Sequence, residues 1–499
     1  MPGRLNKLMF AITCLFLLSG CAAGRLNYNP NKKYTRQILQ EDFHSFRKIL
    51  EEGHPSLYWY TTKDSLDYYF NNSFSRIKDS MTEPQFRALL SYTISKINCG
   101  HTSVRSSKNY LRYLDTVRMK QFPLSIKLWD DSAVVYANLN RGDTIIARGT
   151  VVKSINEKPI NYYRDSLFQF ISMDGYGIIN KYQTLSNMGS FSGWYRNIFG
   201  LADQFTIGYT NEFGREKKTT IPVFNPRKDS SFKKELMNFK KLDRKERRKN
   251  ILFGSRELRF DSSSSTAILT LNTFVGGKGI AGFIKRSFKK LQSKNIKNLV
   301  IDVRGNSGGN VGISNLLTRL IIDHRFKLAD TLYAINKSSR YKKFIGQYFI
   351  THLSMSFISR KRADGRYHFG YFERHYFKPK KQHHFNGNVY VITGGNSFSA
   401  TTLFANLLKG QKSVTLVGEE TGGGAYGNTA WLIPEVTLPK TKIRFSLPKF
   451  RMVINKNIEK NGRGVMPDVF VRSSLESIQN GIDPKMEKVK ELIEKSDSR

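Results

Sequence analysis

The sequence predicts an α/β protein of several domains, in which a mostly parallel sheet with crossover helices is preceded by a small helical domain and a β-rich module. Three observations carry this. From about residue 255 onward, short apolar runs alternate with amphipathic stretches at the spacing of strand–helix–strand units. Between residues 37 and 98, apolar side chains recur at helical spacing, and near residue 120 the texture changes to short β-branched runs broken by turns. A chain of 499 residues also exceeds what one hydrophobic core usually supports.

At the N-terminus, Arg4 and Lys7 precede the apolar run "LMFAITCLFLL", too short for a permanent membrane span. It ends in "LSGC", which resembles the bacterial lipobox, so that residues 1–20 are expected to be a signal peptide and Cys21 the lipid-bearing first residue of the processed chain. The expected location is therefore the cell envelope, anchored to a membrane. Of the three cysteines Cys14 lies within the signal, which leaves Cys99 without an internal disulfide partner. Residues 21–36 are polar and read as a tether.

Residues 37–118 form the expected helical domain, with Leu66, Phe70, Phe86, Leu90 and Ile94 on apolar faces and Thr82 and Pro84 marking a helix start. Residues 119–225 read as the β-rich module, with one or two helices and a hairpin turning at Asn211 to Gly214. "RGTVVKSINEKPI" within it resembles the strand and turn of a PDZ domain. Residues 226–254 are a charge-dominated linker, residues 255–475 the α/β core and residues 476–499 a C-terminal helix. Within the core, residues 335–385 are aromatic and basic without clear periodicity and read as a long insertion containing helical pieces.

Lys and Arg number 81 against 40 Asp and Glu, a formal charge of +41. Such an excess favours anionic neighbours and leaves the fold open. The basic residues are spread along the chain without a helix-turn-helix, zinc-finger or RNA-recognition pattern, so no nucleic-acid partner is expected. No HExxH, no His/Cys cluster at ligand spacing and no P-loop is present, and neither a metal nor another cofactor is expected.

Two Gly-rich turns carry the chemistry. In "VYVITGGNSFSATTLFANLL" a strand runs into a turn and a helix, placing Ser399 where unpaired backbone N–H groups favour negative charge. Ser397 or Ser399 could instead be a helix cap. In "LVIDVRGNSGGN" a buried strand ends in Gly308 and Gly309, whose bare backbone could approach a substrate carbonyl.

These two segments, with "VTLVGEETGGG" and "GRGVMPDVFV" in that order and spacing, resemble the tail-specific or C-terminal processing proteases, peptidase family S41. The resemblance covers about residues 255–475 and implies an α/β protease core, a PDZ-like module, a helical N-terminal region and a peptide or unfolded-protein substrate. It implies Ser399 as nucleophile, and as oxyanion hole the N–H of Ala400 with that of Gly308 or Gly309. Asp302 and Arg304 would form an ion pair holding the turn. Gly424 stands where the best-known branch has its lysine base. The chain resembles instead the lysine-free branch that includes the tricorn proteases, which implies His101 of "INCGHTSV" as base, with Cys99 where aspartate is usual. Histidine suits the task because its ordinary pKa near 6.5 lets it take and return a proton. For the acid that orients it, the same branch points to Glu459, with Glu419 and Glu420 as rivals, and His54 is assigned to packing or cleft architecture. The reading is an envelope-anchored serine endopeptidase; its alternatives are an inactive peptide-binding lipoprotein on the same scaffold and an anchored protein whose basic surface binds an anionic polymer.

Overall fold

The structure, a computed structural model, describes residues 28–129, 132–229, 243, 246, 250–252, 254–261 and 265–497. The expected signal peptide, residues 21–27 of the tether with Cys21, and most of the charged linker lie outside these residues. Helices of eight or more residues and strands of three or more are numbered below in chain order.

The N-terminal region comprises α1 (Arg36–Gly53), α2 (Lys63–Ser75), α3 (Glu83–Ser95) and α4 (Lys108–Thr116). α3 starts as the sequence predicts, with a capping box between Thr82 and Gln85 and Pro84 in the first turn. The domain does not close its core alone. Phe43, Phe46, Phe70 and Phe86 pack in one cluster with Val436, Leu438, Ile443, Phe445 and Leu447 from far along the chain. Asp42 fixes that junction: wholly buried, it accepts from Lys440 N–H (2.9 Å), Thr441 N–H (2.7 Å) and the Thr441 hydroxyl (2.6 Å).

The next module is an antiparallel sheet in chain order, with β1 (Leu124–Leu128), β2 (Ala133–Asn138), β3 (Val151–Ile155), β4 (Gln204–Thr210) and β5 (Glu216–Pro222). The β4–β5 hairpin turns where the sequence placed it. Three helices cover this sheet rather than one or two: α5 (Ile160–Phe168), α6 (Ile179–Ser186) and α7 (Ser190–Phe199). α6 is short and polar, and α7, although amphipathic, is short and interrupted by Gly193. Burial of Tyr182, Leu185, Phe191 and Tyr195 against the sheet supplies what propensity lacks.

The α/β core follows the expected alternation. Its strands are β6 (Arg256–Asp261), β7 (Thr266–Leu271), β8 (Asn298–Asp302), β10 (Asn388–Thr393) and β11 (Val414–Gly418), followed at the edge by Val469–Phe470. β6 pairs antiparallel with β7, and all later pairs are parallel. Alternate residues explain why these strands read as continuous apolar runs: Leu299, Ile301, Val389 and Val391 face α8 (Ile280–Ser293), α9 (Val311–Arg319) and α11 (Ala400–Leu408). Val300, Tyr390 and Ile392 face the opposite side, where Val489 and Ile493 of α12 (Pro484–Asp497) cover them. A second sheet joins the short strands 360–361 and 367–368 to β9 (Thr331–Ala334), β15 (Phe450–Val453) and β12 (Gly427–Trp431). A third pairs β13 (Glu435–Thr437), β14 (Arg444–Ser446) and residues 104–105. The insertion contains α10 (Tyr348–Ile358) and shorter helical turns.

This arrangement brings three Gly-rich segments, after β8, β10 and β11, to the C-terminal ends of adjacent parallel strands, where sites of open α/β sheets gather. The end of the helical domain is held beside them. There His54 is buried and neutral: its Nδ1 accepts from Ser56 N–H at 3.1 Å, so Nε2 carries the proton toward Thr102 Oγ1 at 2.8 Å. Burial, followed by the nearby Arg451 charge, lowers its pKa from 6.5 to about 3.

Replacing Asp42 with Ala leaves three donors without their acceptor, and denaturant unfolding is expected to show a loss of roughly 1–3 kcal/mol. The depressed His54 sets a pH dependence. Its contribution to stability is complete above 6.5 and is lost as pH falls toward 3, because the unfolded chain then binds a proton that the folded chain refuses. Unfolding free energies measured across that window should fall by up to about 1.4 kcal/mol per pH unit from this group, and His54→Asn should flatten the slope.

Candidate active site

Ser399 sits at the junction of β10 and α11 with φ 57° and ψ −121°, a backbone conformation that non-glycine residues rarely adopt. Strain of this kind, of order 1–3 kcal/mol, persists only where the surroundings impose it. They do so from both sides. Ser397 Oγ donates to Val303 O (2.8 Å) and accepts from Gly394 N–H (3.2 Å), and Ser397 O accepts from Gly422 N–H (2.9 Å). Ser399 makes no side-chain cap bond to α11, so its half-buried hydroxyl is not spent as a cap.

Gly308 lies directly against it. A Cβ built on Gly308 would stand 2.8 Å from Ser399 Cβ and 3.1 Å from Ala400 N, and its φ of +98° excludes most side chains independently. Of the expected oxyanion donors, Ala400 N–H opens α11 and has no intrahelical acceptor. Gly308 N–H, however, donates to Asn306 Oδ1 at 2.9 Å. That bond removes Gly308 from the donor set in this conformation and leaves Gly309, whose φ is +139°. Asp302 and Arg304 pair as expected, with Arg304 reaching onward to Asp483 at 2.7 Å.

His101 arrives from the helical domain. Its ring stacks on Phe398, the neighbour of Ser399, with centroids 4.6 Å apart, and Gly100 is so close to the Phe398 ring that an added Cβ would meet it at 2.5 Å. The His101 side chain is 6% exposed and neither ring nitrogen has a hydrogen-bond partner. Two buried, uncommitted nitrogens are costly, and they are held beside the serine turn.

The carboxylate next to this ring is Asp174, which sequence reasoning missed. Its Oδ2 lies 3.7 Å from His101 Nδ1, and its Oδ1 accepts from Gly100 N–H at 2.7 Å. It belongs to "MDGYG", a loop of the β-rich module that is clamped on both sides. Gly175 N–H donates to Asn98 O, and Tyr176 N–H to Gly462 O. The signal available in the sequence was slight, an Asp-Gly-x-Gly turn with no fixed distance from the histidine.

The other carboxylates are placed elsewhere. Glu459 is exposed, and among the described residues no hydrogen bond or ion pair joins it to His101. Its segment still borders the site through Gly462, but supplies backbone rather than a carboxylate. Glu420 is engaged by Arg463 and by Gly464 N–H (2.6 Å), and Glu419 by Lys485 (2.6 Å). Cys99, at the position where the related motif has aspartate, hydrogen-bonds with Thr429 and Thr102, and burial pushes its thiol up to about 11, so it stays neutral.

Gly424, at the lysine position, faces the same spot. A Cβ there would lie 3.7 Å from the Tyr60 hydroxyl and 3.9 Å from Asp174 Cβ. The buried cation of this region is Arg451, 1% exposed and stacked 3.1 Å over the Trp59 ring. Burial lowers its pKa, and the Tyr60 and Asp174 charges act in the opposite sense.

Two cavities are lined by residues of the Gly-rich turns or their neighbours. One of about 330 Å³ is lined by Gly100, Ser307, Asn396 and Phe398, and one of about 460 Å³ by Asn310, Val311, Tyr371, Phe372, Phe377 and Trp431.

The fold is shared with solved structures. The structure of mature CPAF in complex with lactacystin matches with a TM-score of 0.63 at 13% identity, covering 92% of this chain and 98% of that one. Mature CPAF alone matches with a TM-score of 0.62 at 13% identity, covering 89% and 94%. No curated protein sequence matches the chain. Residues 265–471, which contain both Gly-rich turns, Ser399 and the "GRGVMPD" segment, match the model of peptidase family S41. Over residues 265–471 the α/β core therefore matches peptidase family S41, a family of serine-type peptidases.

Proposed function

We propose that the protein is an envelope-anchored serine endopeptidase in which Ser399, His101 and Asp174 act together on extended polypeptide. The observation that carries this reading is the stacking of the buried His101 on Phe398 with Asp174 beside its Nδ1. Ser399 Oγ attacks the scissile carbonyl carbon while His101 Nε2 takes its proton. The tetrahedral oxyanion is met by Ala400 N–H and Gly309 N–H, both fixed before substrate arrives. The His101 proton then passes to the leaving amine, and water hydrolyses the acyl-enzyme by the reverse sequence.

Asp174 is a positioning residue in this scheme. Anchored through Oδ1 by Gly100 N–H, it holds the tautomer with the proton on Nδ1 and favours the imidazolium formed on attack. The present 3.7 Å separation exceeds a hydrogen bond, as is common before substrate closes a site. Glu459 has no such contact and is not assigned the role. The absence of lysine at Gly424 is compensated by this histidine pair, with Arg451 as the buried countercharge.

Binding of an extended chain is supported by two separate cavities, one lined by Phe398, next to Ser399, and one by Asn310, next to Gly309. His101 must face the leaving amine, so the cavity beside Gly100 and Phe398 receives the leaving-group side. The aromatic-lined cavity beside Asn310 and Trp431 then receives the acyl side, which favours a large apolar residue there. Lipid attachment at Cys21 supplies the envelope location.

A fluorophosphonate probe is expected to label Ser399, and Ser399→Ala to abolish both labelling and peptide hydrolysis; an unlabelled, folded protein would instead support the inactive peptide-binding alternative. Asp174→Asn should lower kcat by about 10²- to 10⁴-fold with little change in KM, and shift the acid limb of the pH–rate profile. Glu459→Gln should stay within about twofold of the parent, and the reverse ranking of these two variants would overturn the assignment. Gly308→Ala, whose Cβ would press on Ser399 and whose φ of +98° strains any side chain, should cost about 10²-fold or more in kcat and also lower the thermal transition.

A further inference from the structure

α10 is an unpartnered apolar helix with a cationic rim, and we infer that this face docks on an anionic lipid surface. The helix reads "YFITHLSMSFI" and carries no Lys, Arg, Asp or Glu. Thr351 and Met355 turn inward, and Met355 joins the main core. Outward point Phe349 (75% exposed), Ile350 (60%), Leu353 (45%) and Phe357 (73%). At 3.6 residues per turn these four fall within an arc of about 100°, a single stripe rather than scattered exposure. Isolated exposed apolar residues need no explanation, but four large ones on one helix face mark a binding surface.

The rim identifies the occupant. Lys342 and Lys343 precede the helix and Arg360 and Lys361 follow it, all exposed. Among the described residues none of these four has an ion pair with a carboxylate, whereas Arg340 and Arg362 are taken by Glu52 and Glu373. Arg360 instead donates to Ser356 O, at the end of the helix. Apolar side chains flanked at both ends by free cations suit the boundary between acyl chains and negatively charged headgroups. A second copy of this chain fits poorly. A two-fold contact through α10 would bring identical cationic rims together on two chains of +41 each. With 11 residues the helix is too short to span a bilayer and would lie in its plane. The inference does not depend on a lipid at Cys21.

Flotation of the full chain carrying Cys21→Ser, which has no acyl anchor, tests it. The protein should associate with phosphatidylcholine vesicles containing phosphatidylglycerol about tenfold or more tightly than with phosphatidylcholine alone. Phe349→Ser with Phe357→Ser should reduce that association about tenfold or more, and Lys342→Gln, Lys343→Gln and Lys361→Gln together should remove most of its salt dependence. Hydrolysis of a soluble peptide, unchanged in both variants, reports that they are folded. Equal affinity of the Phe349/Phe357 variant and the parent, or absence of any preference for the anionic vesicles, would overturn the inference. So would a lipid-free dimer that the same pair of substitutions dissociates, since it would assign the face to a second copy.

Discussion

One hydrogen bond, from the Gly100 N–H to the Asp174 carboxylate, joins the helical domain to the β-rich module at the site. Gly100 ends the helical domain and lies too close to the Phe398 ring to tolerate a side chain. Asp174 belongs to the β-rich module, and its loop is pinned in turn by Gly462 of the α/β core. The serine turn contributes Phe398. No single domain contains the constellation, so the stability of the inter-domain contacts is also the precision of the site. A displacement of about 1 Å between such groups is enough to cost a hydrogen bond and much of the rate it supports.

That dependence accounts for how the helical domain is built. Its core is completed by the hairpin of β13 and β14, and both carboxylate oxygens of Asp42 accept hydrogen bonds there from residues 440 and 441. Residues 104–105 extend the same hairpin as a third strand. Beneath His101, the buried chain His54–Thr102–Cys99–Thr429 is hydrogen-bonded from one side of the cleft to the other. His54 and Cys99 are both held neutral by burial.

The sequence made the α/β core legible because a parallel sheet buried on both faces writes itself as apolar runs separated by amphipathic helices. Ser399, Ala400 and the two glycines were legible for a related reason, since the turns that carry them need glycine and small residues at fixed places. The distinction between Gly308 and Gly309 was not, because it depends on whether Asn306 folds back onto one N–H. α6 and α7 were missed because they are short and tertiary burial stabilises them. Asp174 was missed because its partner lies in another module. The pattern that pointed to Glu459 located a neighbouring segment, where Gly462 supports the aspartate loop, whereas the carboxylate beside His101 is Asp174.

In the proposed reaction His101 and Ser399, which come from separate parts of the chain, act on one substrate. Inactivation with a peptidyl chloromethyl ketone, which needs the serine to add to its carbonyl before an adjacent histidine is alkylated, tests this directly when the product is read by tandem mass spectrometry. Alkylation of His101 in the parent chain, and its absence in Ser399→Ala, is the result expected. Inactivation with His101 unmodified, or alkylation that persists without Ser399, would contradict it.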